Sequence, residues 1–423
     1  MKKAWFFLLV VALVLRLAMA LFWQHRCGND MFYFPDSDTY WTLGRTIAKG
    51  EVYEYNGMKI HRMPGYPALL APLFFFGGDR PPVLAARIQN CLFGTMSVAV
   101  VGWIAFLLFR DKKTALIAGW LVAVDPLNVV MSVMVLTEAP FCLAMLLQIA
   151  LWVVALNEKK HWANAAFASG LAAVAAVYVR PDWLYFVPFA MVIGCVLGVS
   201  QGKAAKRILL TGGVICLVGG IGLVPWWIRN YQITGTFVST TLQVGPSLYD
   251  GLNPKADGSS DMAFIEEFYN AEIKLLPEDA PKLTLEQRLN AKMRQAAVDW
   301  ACEHPELAVK LATSKFARLW NLWPNETSLA HWAVKLVVFC TYVPILVLGL
   351  IGAVGSLWKD FSVRILWIPA VYITALHIVF VSSIRYRAPA MLCLAVLAAW
   401  MIVSAKNLFS KLFRCSDVSS LKG

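Results

Sequence analysis

The strongest constraint on this chain is the recurrence of long uncharged stretches. Apolar runs of roughly 18–25 residues alternate with short clusters of charge, and a run of that length wound as an α-helix matches the hydrocarbon thickness of a bilayer. Composition follows the same pattern. Of 423 residues, 59% are hydrophobic and 15% charged, against about a quarter charged in soluble domains. The expected fold class is therefore an all-α polytopic membrane protein. Its 17 Trp residues suit a chain with two membrane–water interfaces to anchor.

About ten spans are expected from the runs and the breaks between them. They cover Ala4–Trp23, Val83–Phe109, two within Thr114–Leu156, Trp162–Tyr178, Trp183–Val199, Ile208–Trp227, Lys335–Trp358, Ile365–Val381 and Ala388–Ser404. Asp125-Pro126 and Thr137-Glu138-Ala139-Pro140 divide the long third stretch, because proline ends or kinks a helix. Ala18-Met19-Ala20 has the small-residue look of a leader cleavage site. The length of the first run and its Arg16 favour a retained helix. The expected organisation is an N-terminal membrane region, residues 1–228, with a polar first loop at 24–82. An external region at 229–332 follows, then a C-terminal membrane region with a tail at 333–423.

The net charge of +12 does not indicate nucleic acid, because the basic residues form short groups between spans. With the N-terminus inside, the cytoplasmic pieces carry sixteen basic residues against four acidic ones, the bias expected of cytoplasmic loops. The two long polar regions then face outward. The nine Cys residues are scattered without metal-binding spacing. Six of them (Cys91, Cys142, Cys195, Cys216, Cys340 and Cys393) lie in apolar runs, where Cys behaves as a small hydrophobe. Cys27 and Cys302 stand alone in the two external regions and are candidates to pair, a disulfide being permitted on that side.

In the external region, Thr284-x-x-Gln287 reads as a capping box opening a helix through Trp300. His304-Pro305 reads as a second start, with Pro at the first helical position. In the first loop, Phe34-Pro35-Asp36-Ser37-Asp38-Thr39-Tyr40 precedes a helical pattern stopped by Gly50. Two readings stay open here. Asp36 or Ser37 caps the helix, or a carboxylate is held at a helix start for chemistry. His61-Arg62-Met63-Pro64-Gly65-Tyr66-Pro67 is a stiff turn that structure alone could require. Asp125, Glu138, Arg180, Asp182 and Arg229 all fall at external ends of spans. Charges at that depth tend to face a polar cavity, although interfacial snorkelling also suits the arginines. Arg385-Tyr386-Arg387 adds two guanidinium groups of the kind that grip phosphate, or else marks a plain helix stop.

Taken in order along the chain, these pieces resemble the membrane-embedded glycosyltransferases of the GT-C superfamily. The likeness is to the family 39-type branch of protein O-mannosyltransferases and lipid A aminoarabinose transferases. It is carried by Asp36-Ser37-Asp38-Thr39-Tyr40 through Gly50, and by Arg62-Met63-Pro64-Gly65-Tyr66-Pro67 with Leu69-Leu70-Ala71. It continues in Pro225-Trp226-Trp227-Ile228-Arg229-Asn230-Tyr231 with Gly245 through Pro254, and in Arg385-Tyr386-Arg387-Ala388-Pro389. Many relatives have Asp-Glu in the first loop where this chain has Asp36-Ser37-Asp38. The resemblance implies transfer of a sugar from a polyprenyl-phosphate donor to an acceptor hydroxyl, with inversion, at the external face; the basic start and the compact loops suggest a prokaryotic plasma membrane. The acceptor is a glycan, a lipid or a protein. It makes Asp36 the base, Asp38 or Glu138 a second acid, and Arg62, Arg229, Arg385 and Arg387 candidates for the donor phosphate. Tyr40, Tyr66, Tyr249 and Asn253 become candidates for the donor or acceptor pocket. Asp38 and Glu138 are also the candidates for a divalent metal, which some relatives bind; no dedicated metal motif is present. A transporter or flippase of a lipid-linked sugar is the alternative, and the lack of related halves weighs against it.

The charge bias makes a topological prediction. In a cysteine-free background, an impermeant thiol reagent applied from outside is expected to label Asp257→Cys and to spare Ala204→Cys. The reverse pattern would invert the whole arrangement.

Overall fold

A computed structural model describes residues 2–28, 32–198, 202–274, 283–323 and 331–419, with no side chain described for Lys203 or beyond Lys406. The tail residues Lys411, Arg414, Asp417 and Lys422, counted in the charge bias, thus lie outside the described side chains. Among the described residues the fold is all-α. The one β feature is an isolated bridge between Tyr55 and Met58.

The helices in chain order are α1 (Lys2–Cys27), α2 (Pro35–Lys49), α3 (Gly65–Gly77), α4 (Val83–Phe109), α5 (Lys112–Ala123), α6 (Pro126–Met131), α7 (Glu138–Asn157), α8 (Trp162–Val179) and α9 (Phe186–Gly198). Then come α10 (Gly202–Thr234), α11 (Val244–Gly251), α12 (Ile265–Ile273), α13 (Leu285–Glu303), α14 (Pro305–Leu319), α15 (Trp332–Ser356), α16 (Phe361–Arg364), α17 (Ile368–His377) and α18 (Ala388–Ser419). Short 3₁₀ turns at Pro181–Trp183 and Ile384–Arg387 precede α9 and α18.

Among the described residues, seven helices are long and apolar enough to cross a membrane. Each coincides with one of the expected spans. The other three expected spans are built from shorter pieces: α5 with α6, the apolar stretch Pro181–Leu197, and α16 with α17. The cause in the first case is local. Asp125 caps α6, its Oδ2 accepting from Asn128 N at 3.2 Å, and Pro126 follows at N1, so α5 cannot run on. α10 continues past the expected boundary at residue 229 as far as Thr234. α11–α14 make up the helical region between α10 and α15. α13 opens with the Thr284–Gln287 capping box and α14 with Pro305 at its start.

α7 lies at the centre, against α8 and α4, while α18 packs on α15 and α5. Gly65 is required by packing, since a Cβ there would come within 2.5 Å of the Tyr178 backbone carbonyl. α3 therefore starts directly on the end of α8. Cys27 and Cys302 are both free. The pairing weighed from sequence does not form, and Cys27 sits instead beside the Arg87 guanidinium.

Arg16, the odd charge of the first span, is fully buried. Its guanidinium donates to the carbonyls of Ala123 at 3.4 Å and Val122 at 3.5 Å, to Ala12 O at 3.0 Å and to Ser132 Oγ at 3.2 Å. A helix that stops inside a bilayer leaves its last carbonyls unsatisfied, and Arg16 fills that need at the end of α5. Arg16→Leu is expected to cost about 2–4 kcal/mol of stability, read as a lowered thermal midpoint in detergent. An unchanged midpoint would show that the α5 carbonyls find other partners.

Candidate active site

Asp36 lies in the first turn of α2, and the way that helix starts decides where it points. Phe34 is the cap residue, extended at φ −109° and ψ 136°, Pro35 is at N1, and no side chain caps the helix. Neither Asp36 nor Ser37 is therefore the cap weighed from sequence, and the Asp36 carboxylate is turned toward other segments. Its Oδ1 accepts from Arg62 Nη2 at 2.6 Å, and its Oδ2 from Arg385 Nη2 at 3.5 Å. Asp38, two residues on, is exposed and accepts from the Tyr55 hydroxyl at 3.0 Å. Gly50 ends the helix in the left-handed region at φ +67°, as the sequence pattern requires.

The Asp36–Arg385 contact is one link in a longer row. Arg385 Nε lies 3.9 Å and Arg180 Nη1 3.6 Å from the same oxygen of Glu138, Oε1, and Arg180 Nη2 lies 3.1 Å from Asp182 Oδ2. Arg62, Asp36, Arg385, Glu138, Arg180 and Asp182 thus alternate in sign along the ends of α2, α7, α8 and α18. Aromatic rings line the row. Arg62 lies over Tyr40 at 5.4 Å, and Arg385 over Tyr386 at 4.8 Å and Phe34 at 5.3 Å. Arg180 lies over Phe141 at 5.4 Å and Tyr386 at 5.6 Å, and His377 stacks on Tyr386 at 4.3 Å. A pocket beside the row is lined by Phe141, Arg180, Asp182, Trp183, Tyr372 and Tyr386, among others.

Exposure separates the two central acids. The Asp36 side chain is 36% exposed and that of Glu138 only 4%, so of the two Asp36 is the one open to solvent. Burial alone would push the Asp36 carboxyl up. Arg62 and Arg385 outweigh that and hold it below the ordinary carboxylate range, which keeps it ionised at neutral pH.

The segment carrying Arg62 is fastened from outside the row. Arg229 Nη2 donates to Tyr53 O at 3.1 Å and Lys59 O at 3.0 Å, with its guanidinium over the Trp226 ring at 4.6 Å. The Tyr53 hydroxyl donates to Arg62 O at 3.1 Å, and the Glu286 carboxylate accepts from Lys59 N at 2.8 Å. Gln243 Nε2 meets His61 Nδ1 at 2.7 Å. Burial, with Arg62 adding, pushes His61 down to about 3, so it stands as a neutral ring.

The structure therefore brings together Asp36, Arg62, Arg385, Glu138 and Tyr40 of the sequence candidates and places the others elsewhere. Arg229 holds loop carbonyls. Arg387 is fully buried, lies 3.6 Å over Tyr342 and donates to Leu319 O at 3.1 Å and Asn321 O at 2.6 Å. Tyr66 meets Tyr40 edge-on at 5.4 Å, and its hydroxyl bonds Asn90 Nδ2 at 2.9 Å. Tyr249 packs on Phe264 and Phe268, and Asn253 Nδ2 donates to Tyr249 O at 2.8 Å, both within the region between α10 and α15. Of the other charges singled out at span ends, Arg180 and Asp182 join the row while Asp125 caps α6. Their signal was the turn Val179-Arg180-Pro181-Asp182. Tyr386 and His377 gave none beyond the place of Tyr386 between two arginines.

A divalent metal does not fit these residues. Among the described residues no group of three or more His, Cys, Asp or Glu side chains converges. Asp38 faces Tyr55 while Glu138 faces two guanidinium groups, which would repel a cation.

Residues 75–240 match the family described as dolichyl-phosphate-mannose-protein mannosyltransferase. No curated protein matches in sequence. Among solved structures, the chain resembles the apo oligosaccharyltransferase of Archaeoglobus fulgidus with a TM-score of 0.61 at 12% identity, over 97% of this chain and 52% of that one. The archaeal oligosaccharyltransferase AglB from the same organism, in complex with an inhibitory peptide and a dolichol-phosphate, gives 0.59 at 12% identity, over 98% and 52%. ArnT from Cupriavidus metallidurans bound to undecaprenyl phosphate gives 0.47 at 14% identity, over 95% and 78%. The chain spans about half the length of the archaeal structures it matches.

The two arginines of the Arg385-Tyr386-Arg387 turn should separate on mutation. Arg387→Ala is expected to lose about 2–4 kcal/mol of stability, because two buried carbonyls lose their donor. Arg385→Ala should lose less than about 1 kcal/mol, since Asp36 keeps Arg62 and Glu138 keeps Arg180. Thermal unfolding in detergent compares the two; equal losses would contradict the assignment.

Proposed function

We propose that this chain, whose helices take the fold of the GT-C membrane glycosyltransferases, transfers a sugar from a polyprenyl-phosphate carrier to an acceptor hydroxyl at the external face, with inversion. The observation that carries the reading is Asp36. It is a partly exposed carboxylate, uninvolved in capping its helix and held between arginines from two distant segments. The solved archaeal relative binds a dolichol-phosphate, which supports a lipid-phosphate donor here.

In the proposed reaction the acceptor oxygen attacks the anomeric carbon as the bond from that carbon to the phosphate oxygen breaks. The hydroxyl proton passes to Asp36, and the bonding pair leaves with the lipid phosphate. Such a transition state is oxocarbenium-like, and the leaving phosphate gains charge. Arg385 and Arg180 supply fixed positive charge for that phosphate. Tyr386 and Phe141 hold their guanidinium planes in place. Arg62 orients the base. Arg229 and Glu286 act one step back, by fixing the backbone on either side of His61 and Arg62.

Asp36→Asn should reduce transfer by about two to four orders of magnitude, the usual scale for loss of a general base, while Asp38→Asn should retain activity. The assay follows release of lipid phosphate and labelling of an acceptor from a radiolabelled polyprenyl-phosphate sugar. The control is inserted, detergent-stable protein that still binds the lipid. Full activity in Asp36→Asn would end this reading. Movement of intact donor across vesicles without release of phosphate would replace it with a flippase.

A further inference from the structure

Glu138 has no step in the proposed reaction, yet it is the most buried member of the charged row. Two guanidinium groups converge on its Oε1, Arg180 at 3.6 Å and Arg385 at 3.9 Å. Neither contact is short enough for a hydrogen bond, and Glu138 Oε2 has no hydrogen-bond partner among the described residues. A carboxylate engaged so loosely by two arginines occupies the electrostatic position of an anion without gripping it. Both arginines also share the Tyr386 ring, so a single group between them would meet two planar donors at once. Asp36 and Asp182 sit at the outer flanks of the pair and Arg62 beyond Asp36. With Glu138 the row counts three cations and three anions. Without it the row would count three cations and two anions, one positive charge in excess.

Resting on the reading of Arg180 and Arg385 as the phosphate holders, we infer that Glu138 is a positioning residue acting as the resident counter-anion of that pair. It keeps the two guanidinium groups aimed at one point while the site is empty and competes with the lipid phosphate once the sugar has left. The product is a monoester with more negative charge than the donor diester, so it binds an uncompensated arginine pair more tightly than the donor does. Glu138 weakens that grip and lets the product go.

The test is Glu138→Gln in the full-length protein, with an undecaprenyl monophosphate as probe. Its dissociation constant should fall about tenfold, on the scale of a close charge pair. Donor KM should fall with it, and kcat should also fall, because product release becomes slow. A merely structural role would instead raise KM and the dissociation constant together. Glu138→Asp keeps the charge and should stay within about threefold of the parent, which guards against a glutamine variant that fails to fold. Weaker or unchanged lipid phosphate binding in folded Glu138→Gln overturns the inference. Absence of lipid phosphate binding in the parent protein overturns the functional reading beneath it.

Discussion

Arg385 is the link on which the site depends. It stands between Asp36, from the first polar loop, and Glu138, from the start of α7, and it touches both. Remove its charge and the row divides into two separate ion pairs. The segments that supply the row are otherwise held by independent means: α2 by its packing on α3, the Arg62 loop by Arg229 and Glu286, and the end of α8 by Gly65 beneath it. Each device is ordinary, and their common result is that three arginines and three carboxyl side chains meet in one row.

The same constraint operates deeper in the protein. A bilayer offers no water to an unpaired carbonyl, so every helix that stops short needs an internal donor. Arg16 supplies one to α5, and Arg387 does the same for the last carbonyl of α14, which lies in the region between the spans. These two cations are structural for the reason that Arg385 is not. Their donors point at helix-end carbonyls, with Ser132 Oγ added for Arg16, whereas those of Arg385 point at carboxylates and a tyrosine hydroxyl. An arginine's partners, more than its burial, separate the two kinds.

Much of this was legible before any coordinates. The long runs name the membrane class, and Asp125-Pro126 marks the break between α5 and α6. The capping box at Thr284 and the proline at 305 mark helix starts that the structure contains. The site was legible as a collection of residues but not as an arrangement. Asp36 and Asp38 are two positions apart in a helix, about 200° around its axis, so only one of them faces Arg385. Which one depends on the register set by Pro35 at N1. Arg385 and Arg387 are likewise two apart in a tight turn, and their side chains diverge into different surroundings. Arg229 read as a phosphate ligand because it sits at the right depth. That it holds two carbonyls of the first loop depends on where residues 53 and 59 fold back, and no local pattern encodes that.

The link between Asp36 and Arg385 joins residues 349 positions apart in the chain, and this governs when the site comes into being. A nascent chain that has inserted its first spans already displays Asp36 with Arg62, and soon afterwards Glu138 with Arg180. The two halves meet only when the segment just before α18 takes its place. Until then neither carboxylate is held in its final setting, so a chain that stalls before α18 leaves two disconnected acid–arginine pairs. The finished site is thereby a product of completed insertion.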